Sequence, residues 1–327
     1  MLIDNCRPLK NTLHSMNTVP IAFAFDNNLI LPACVCISSL MMNAREDTFY
    51  DIFILHSRNL ALERDRLDRI PHCYPNCRIQ YRQVDETFDA AFEIRGITTP
   101  AYYRLLILEL IPEYDMVIYS DVDVIFRSDL FDIYNDTDLT AYYVAGVNSL
   151  SHLVPEYKAY YERKLHLDPQ KIIYSGNLIF NSRKIREDHL IPRFKKLAGN
   201  NYKFQDMDIL NIVCGDRICY LPPSFCLSTI ISKAAVDDRP ALLQVWSQSE
   251  IDKALISGIV HYNGQKPWQQ YSINFDIWWE YYRKSPFFDA KFYFDFFYYR
   301  LNILDQLPLW KRIKILLRYF VYGKRVI

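Results

Sequence analysis

The chain has no charge excess of either sign: 38 Lys and Arg stand against 38 Asp and Glu. That balance excludes the basic footprint of an ordinary nucleic-acid binder. There is no long hydrophobic run either. The apolar stretch from Val19 to Met42 is broken by Asp26, Asn27, Asn28 and Pro32, and nothing approaches the ~20 apolar residues that cross a bilayer as a helix. No secretory leader is legible around Asp4, so a cytoplasmic location is expected. The eight cysteines include no C-x-x-C pair, and several lie in apolar runs such as Ala33-Cys34-Val35-Cys36-Ile37. Buried free thiols are therefore expected in place of a disulfide or zinc framework. Internal repeats and low-complexity linkers are also missing. What is present is 327 residues, half of them apolar, with 25 Tyr and 20 Phe, enough to bury a substantial core.

Short apolar runs alternate with helical patterns through the first half. Val19–Phe25, Phe49–His56, Arg78–Val84 and Met116–Ser120 read as strands. Helical patterns cover about Leu31–Asn43, Leu60–Ile70 and Ala101–Ile111. Such alternation predicts βαβ units and a mostly parallel sheet, in which ligands bind beyond the carboxyl ends of the strands. Asp26-Asn27-Asn28 and Asp121-Val122-Asp123 both fall at such ends. In the second half, Lys171–Asn181 and Gly258–Tyr262 read as strands and Gln205–Cys214 as a helix.

Asp121 and Asp123 are two residues apart, so in an extended backbone both carboxylates point to one side. Their mutual repulsion after a buried strand is relieved by a divalent cation, although D-x-D alone also fits a solvated turn or helix cap. The downstream segment Ile259-Val260-His261-Tyr262-Asn263-Gly264-Gln265-Lys266-Pro267-Trp268 adds an imidazole at a strand end. Its Gly-x-Lys brings an amide and an ammonium suited to phosphate oxygens. Two carboxylates, an imidazole and diphosphate oxygens suit Mn²⁺, with Mg²⁺ also accommodated.

Met116–Asp123 taken together with His261–Trp268 resembles family 8 of the retaining glycosyltransferases, a GT-A-fold family that includes bacterial lipopolysaccharide galactosyl- and glucosyltransferases and glycogenin. Further segments resemble it in order: Ala22–Asn28, Thr98–Leu105, Ser175–Asn181 and Gln205–Asn211. The resemblance implies a GT-A (Rossmann-like) α/β fold with a mixed, mostly parallel central sheet and flanking helices. It implies a metal-dependent hexosyltransferase that moves glucose or galactose from a UDP-sugar to a glycan acceptor. Ala24, Asp26 and Asn28 would hold uracil and ribose. Asp121 would meet the ribose and the metal, Val122 would offer backbone groups, and Asp123 and His261 would complete the metal's protein ligands. Gly264 and Lys266 would hold the diphosphate, and Arg104 the diphosphate or sugar. Asp206 and Asp208 would lie on a helix facing the donor sugar, one of them gripping its hydroxyls. This sequence departs from the family pattern at Met207, where Gln is usual, and at Tyr174, where Asn is usual.

Three regions are expected: a lead-in over 1–18, a catalytic domain over 19–275 and an aromatic, basic region over 276–327. Nine of the thirteen residues from Phe287 to Tyr299 are Phe or Tyr, and Arg300–Ile327 carries seven Lys or Arg against the single acid Asp305. Leu309–Phe320 alternates apolar and basic residues at helical spacing, the pattern of an interfacial helix on anionic lipid. A peripheral position on the inner face of the cytoplasmic membrane would suit a lipid-carried acceptor, such as a lipopolysaccharide or lipooligosaccharide core. Two other readings compete. Val117–Val124 fits the nucleophile strand of a haloacid-dehalogenase-like phosphatase using Asp121, and Met207 fits a non-catalytic GT-A-fold partner.

Overall fold

The computed structural model describes residues 16–88, 99–301 and 306–322. Most of the expected lead-in, together with Cys6, Thr98 and Asp305, lies outside the described residues. The first compact unit extends to Pro286. Its strands are β1 (Asn17–Ala24), β2 (Thr48–Ser57), β3 (Cys77–Val84), β4 (Met116–Ser120), β5 (Val124–Ile125), β6 (Val144–Asn148), β7 (Ile173–Asn181), β8 (Ile218–Tyr220) and β9 (Val260–His261).

Seven of them form one sheet in the order β3-β2-β1-β4-β7-β6-β8, and β5 pairs with β9 in a separate ribbon. β1 to β4 are mutually parallel, whereas β7 runs antiparallel to both β4 and β6. The carboxyl ends of β1, β4, β6 and β8 consequently share one edge of the sheet. The sheet is the mixed, mostly parallel one expected. Its central strands read as apolar runs because helices cover both faces: Val19, Ile21, Ala22 and Phe23 in β1 are all fully buried, as parallel strands require. The helix Ile30–Met42 is likewise apolar on every side, and almost all of it is buried.

The structure departs from the sequence pattern in two helical segments. Leu60–Ile70 is mostly irregular, with only a 3₁₀ turn at Leu67–Arg69 leading into the short helix Ile70–Cys73. The side chain of Asn27 claims that backbone, donating to Ala61 O at 3.0 Å and accepting from Glu63 N at 2.9 Å. These tertiary bonds outweigh a weak local propensity. The Ala101–Ile111 pattern resolves into a 3₁₀ helix over Thr99–Leu106 and a single α-turn over Ile107–Leu110. Eight residues is long for 3₁₀ geometry; the tight winding buries Tyr102, Tyr103, Arg104, Leu105 and Leu106 together.

The helix Phe275–Lys284 belongs to the first unit and buries Trp278, Trp279 and Tyr282. The second unit, Phe287–Ile327, contains the helices Ala290–Leu301 and Leu309–Tyr322. Among the described residues no helix is long and apolar enough to cross a membrane. The described cysteines are all free, and Cys34, Cys36, Cys77, Cys214 and Cys226 are buried.

Candidate metal and donor site

β4 ends at Ser120, and the chain then leaves the main sheet to enter β5 at Val124. Asp121 and Asp123 occupy that crossing. The pairing Val124↔His261 brings the imidazole alongside them, and Tyr262 N donates to Asp123 O at 2.9 Å. The His261 Nε2 atom lies 3.6 Å from Asp121 Oδ2 and 3.3 Å from Asp123 Oδ1. One ligand atom from each of the three residues falls within 4.8 Å of the others. Two oxygens and one imidazole nitrogen at this separation fit a borderline-to-hard divalent cation, leaving positions open for substrate oxygens.

The electrostatics show the same demand for positive charge. Burial disfavours a charged His261, but the Asp123 carboxylate prevails and raises its pKa to about 10. Burial would likewise raise Asp123; Lys266 and His261 outweigh it and hold the carboxyl below its usual range. Lys266 Nζ bonds Asp123 Oδ2 and also donates to Tyr262 O at 2.7 Å. Lys266 and His261 are thus the groups that face the Asp123 carboxylate.

Gly176 in β7 makes the approach of these groups possible. A Cβ there would lie 2.2 Å from His261 Cε1 and 2.8 Å from Asp121 Oδ2, so only glycine fits at this close crossing. Asp121 N donates to Gly176 O at 2.7 Å, and Ser120 Oγ donates to Asn177 Oδ1 at 2.8 Å, which fixes the strand register beside the site.

Arg104 organises the other side. It is 4% exposed and stacks over the Tyr119 ring with its guanidinium carbon 4.2 Å from the centroid. Its Nη2 donates to Asp121 Oδ1 at 2.8 Å, Nε to Ala101 O at 2.8 Å, and Nη1 to Ser175 O. Nε also faces Asp206 Oδ2 at 3.2 Å. The fork thus bonds one carboxylate and two backbone carbonyls, while Asp206 Oδ2 is met through charge. Tyr119 Oη adds a second bond to Asp121 Oδ1 at 2.9 Å. Burial pushes the Asp206 carboxyl up to about 6, against the pull of Arg104.

The profile of glycosyl transferase family 8 matches residues 20–272, which spans the whole of this arrangement. The chain belongs to glycosyl transferase family 8. Glycosyltransferase GlyB of Streptococcus pneumoniae serotype 4 is 23% identical over 273 residues, 81% of this chain and 62% of GlyB. Two solved structures share the fold. The bifunctional glycosyltransferase WbbM in its apo form superposes with a TM-score of 0.68 at 21% identity, over 85% of this chain and 51% of that one. The galactosyltransferase LgtC, solved with donor and acceptor sugar analogs, gives 0.66 at 22% identity, over 84% and 98%. The chain spans about half of WbbM and just over three-fifths of GlyB.

The remaining family-matched positions fall as follows. Ala24 closes β1 beside β4, and Asp26 lies just beyond, its carboxylate accepting from Asn28 N at 2.9 Å. Val122 is buried between the two aspartates. Gly264 is exposed beyond β9, its nearest neighbour across the fold being Thr229. The helix Gln205–Cys214 is entered through Gln205 at φ 46°, a left-handed conformation costly for a residue with a Cβ. Asp206 and Asp208 then diverge. Asp208 is fully buried, and its Oδ2 accepts from Tyr160 Oη at 2.6 Å and Phe204 N at 3.0 Å. Burial raises its pKa against those bonds. Met207 packs with Tyr161 and Ile172 in the same aromatic cluster. Tyr174 accepts from Asn263 Nδ2 at 2.9 Å, tying β7 to the loop after His261. Sequence reasoning named neither Gly176 nor Tyr119 as a site residue; a lone glycine inside an apolar strand was the available signal for the first.

Proposed function

We propose that this family 8 glycosyltransferase moves glucose or galactose from a UDP-sugar to a glycan acceptor with retention of anomeric configuration. The observation that carries the reading is the convergence of Asp121, Asp123 and His261 at the carboxyl edge of the sheet, with Asp206 facing Arg104 beside them. In this reading Asp121, Asp123 and His261 would hold Mn²⁺, or Mg²⁺, and the cation would supply countercharge to the diphosphate. Ala24, Asp26 and Asn28 hold uracil and ribose at the end of β1, and Val122 presents backbone groups.

Lys266 exchanges its Asp123 partner for a phosphate oxygen, and Gly264 lets the diphosphate approach the loop backbone. Arg104 acts as a positioning residue that fixes Asp121 and Asp206. In this reading Asp206 meets the sugar hydroxyls, while Asp208 secures the helix from behind through Tyr160. As the anomeric C–O bond breaks, its electron pair passes to the diphosphate, the acceptor hydroxyl oxygen bonds the anomeric carbon, and the hydroxyl proton passes to the departing diphosphate. Lys266 meets the charge where it develops. Met207, turned into an apolar cluster, offers no nucleophile to this step.

For the acceptor we favour a lipid-linked surface glycan, such as a lipopolysaccharide or lipooligosaccharide core. The support is the basic, amphipathic Leu309–Tyr322 helix, which suits peripheral contact with the inner face of the cytoplasmic membrane. The test of the donor reading is UDP release from UDP-glucose or UDP-galactose with Mn²⁺, which Asp123→Asn should abolish. Release that survives this substitution refutes the metal assignment.

A further inference from the structure

A concavity opens on the sheet edge that bears Asp121, Asp123 and His261. It has a volume of about 670 Å³ and lies beyond β6 and β8, lined among others by His152, Gln170, Tyr220, Gln244 and Trp246. β6 stands two strands from β4, and β8 three. At ~4.8 Å between strands, the cavity begins ~10–15 Å to the side of the metal cluster. That offset corresponds to a short run of sugar units.

The lining selects a chemical class. Asp168 and Glu250 contribute two carboxylates against one ammonium, Lys171, which already faces Asp216 at 3.4 Å. A nucleotide or phosphate would meet net repulsion there. Tyr220 offers a ring face to apolar C–H surfaces, being 48% exposed with its hydroxyl anchored on Lys171 O at 2.9 Å, and the largely buried Trp246 backs the wall. Gln170 and Gln244 carry exposed neutral amides. His152 Nδ1 is buried without a hydrogen-bond partner, and burial keeps the ring on the neutral side. Asn148, by contrast, is committed to the fold, donating to Gln170 O and accepting from Leu150 N at 2.8 Å. A few convergent polar groups around aromatic faces are the ordinary make-up of a small-ligand site. Neutral amides with flat rings suit a polyhydroxyl ligand that is apolar on one face and hydrogen-bonding at its rim.

We propose that this cavity is a glycan subsite that holds uncharged sugars of the acceptor remote from the hydroxyl that reacts. The proposal rests on the glycosyltransferase reading above and adds to it a ligand for a place the donor does not reach. It makes the enzyme selective for acceptors of more than minimal length, because the remote sugars contribute binding that a truncated acceptor lacks.

The test uses the full chain and a panel of neutral linear hexose oligosaccharides of increasing length, followed by saturation-transfer NMR without UDP or Mn²⁺. The expected result is binding by at least one longer member, lost or weakened about tenfold or more in Gln170→Ala and in Trp246→Ala. UDP release from UDP-glucose or UDP-galactose without acceptor should remain at the wild-type level in both variants. Gln170 is exposed, so its variant keeps the test valid if Trp246→Ala fails to fold. Absence of binding by any member overturns the proposal, as does binding that both variants retain. Loss of UDP affinity in Gln170→Ala would assign the cavity to the donor and overturn it as well. Wild-type protein that binds oligosaccharide but releases no UDP would defeat the donor reading alone.

Discussion

Gly176→Ala is the sharpest test of the site, because one methyl group strikes two of its three ligand residues. The added Cβ would stand 2.2 Å from His261 Cε1, whereas ordinary contact begins near 3.4 Å, so the ring must retreat by about 1.2 Å. The displacement also presses on Asp121 Oδ2, 2.8 Å away. A misplacement of ~1 Å in a reacting constellation costs ~10²-fold in rate, equivalent to ~2.7 kcal/mol of transition-state stabilisation. Overpacking adds ~1–3 kcal/mol of lost stability. The assay is acceptor-free UDP release with Mn²⁺, read as kcat/KM, together with Mn²⁺ affinity by electron paramagnetic resonance and the thermal midpoint. Gly146→Ala supplies the control. Its Cβ would meet the side chains of Leu178 and Ile173 and none of the metal-site residues, so it should lower stability and spare activity. A folded Gly176→Ala protein with wild-type Mn²⁺ affinity and activity within about threefold of wild type would refute the proposed crowding of His261 and Asp121 around a cation.

Lys266→Ala should tighten Mn²⁺ binding in the absence of nucleotide by about fivefold, since removing a partly buried ion pair frees Asp123 at a gain of ~1 kcal/mol. It should weaken UDP binding; calorimetric titration checks both, and looser metal binding without UDP would contradict the exchange of partners. Asp51 accepts from Arg78 Nε at 2.7 Å, Gln80 Nε2 at 2.8 Å and Tyr114 Oη at 2.7 Å. Asp51→Ala should therefore cost ~1–3 kcal/mol in urea unfolding at neutral pH. Burial opposes ionisation of this carboxyl, but those bonds hold its pKa below the ordinary value. Its contribution is thus present above the unfolded pKa of ~3.9 and lost as pH falls through the folded pKa, so the wild-type advantage should shrink in acid. Truncation near Asp305 should release the chain from phosphatidylglycerol vesicles in flotation while acceptor-free UDP release persists; unchanged partition would rule out the tail as the membrane contact.

Much of the sheet was legible because buried parallel strands must be apolar runs. β4 and the Gln205–Cys214 helix fall where the pattern puts them. β5, β6 and β8 were not read. β5 and β8 are two and three residues long, too short for a periodicity to emerge, and β6, as long as β4, has its apolar run interrupted by Gly146; their pairing is set by partners far away in sequence. Asp121, Asp123 and His261 carried their chemistry in their residue types. The bond from Tyr119 to Asp121, the commitment of Arg104 to two carboxylates and the bond from Asn263 to Tyr174 carry no such mark, because each depends on a partner that only the fold selects. Asp208 illustrates the limit: helix and residue type were both legible, but the aromatic pocket that binds its carboxylate was not.

The two-residue pairing of β5 with β9 has a consequence for how the molecule comes into being. Val124 and His261 close a loop of more than a hundred residues that includes β6, β7 and β8. Such a contact carries a large entropic cost of closure and forms only when the intervening chain is largely in place. During synthesis, a nascent chain that has reached β5 carries both aspartates and still lacks the imidazole. Under the proposed metal assignment, capture by all three residues would require that β9 has docked on β5, and a chain arrested before β9 forms would lack the complete ligand set.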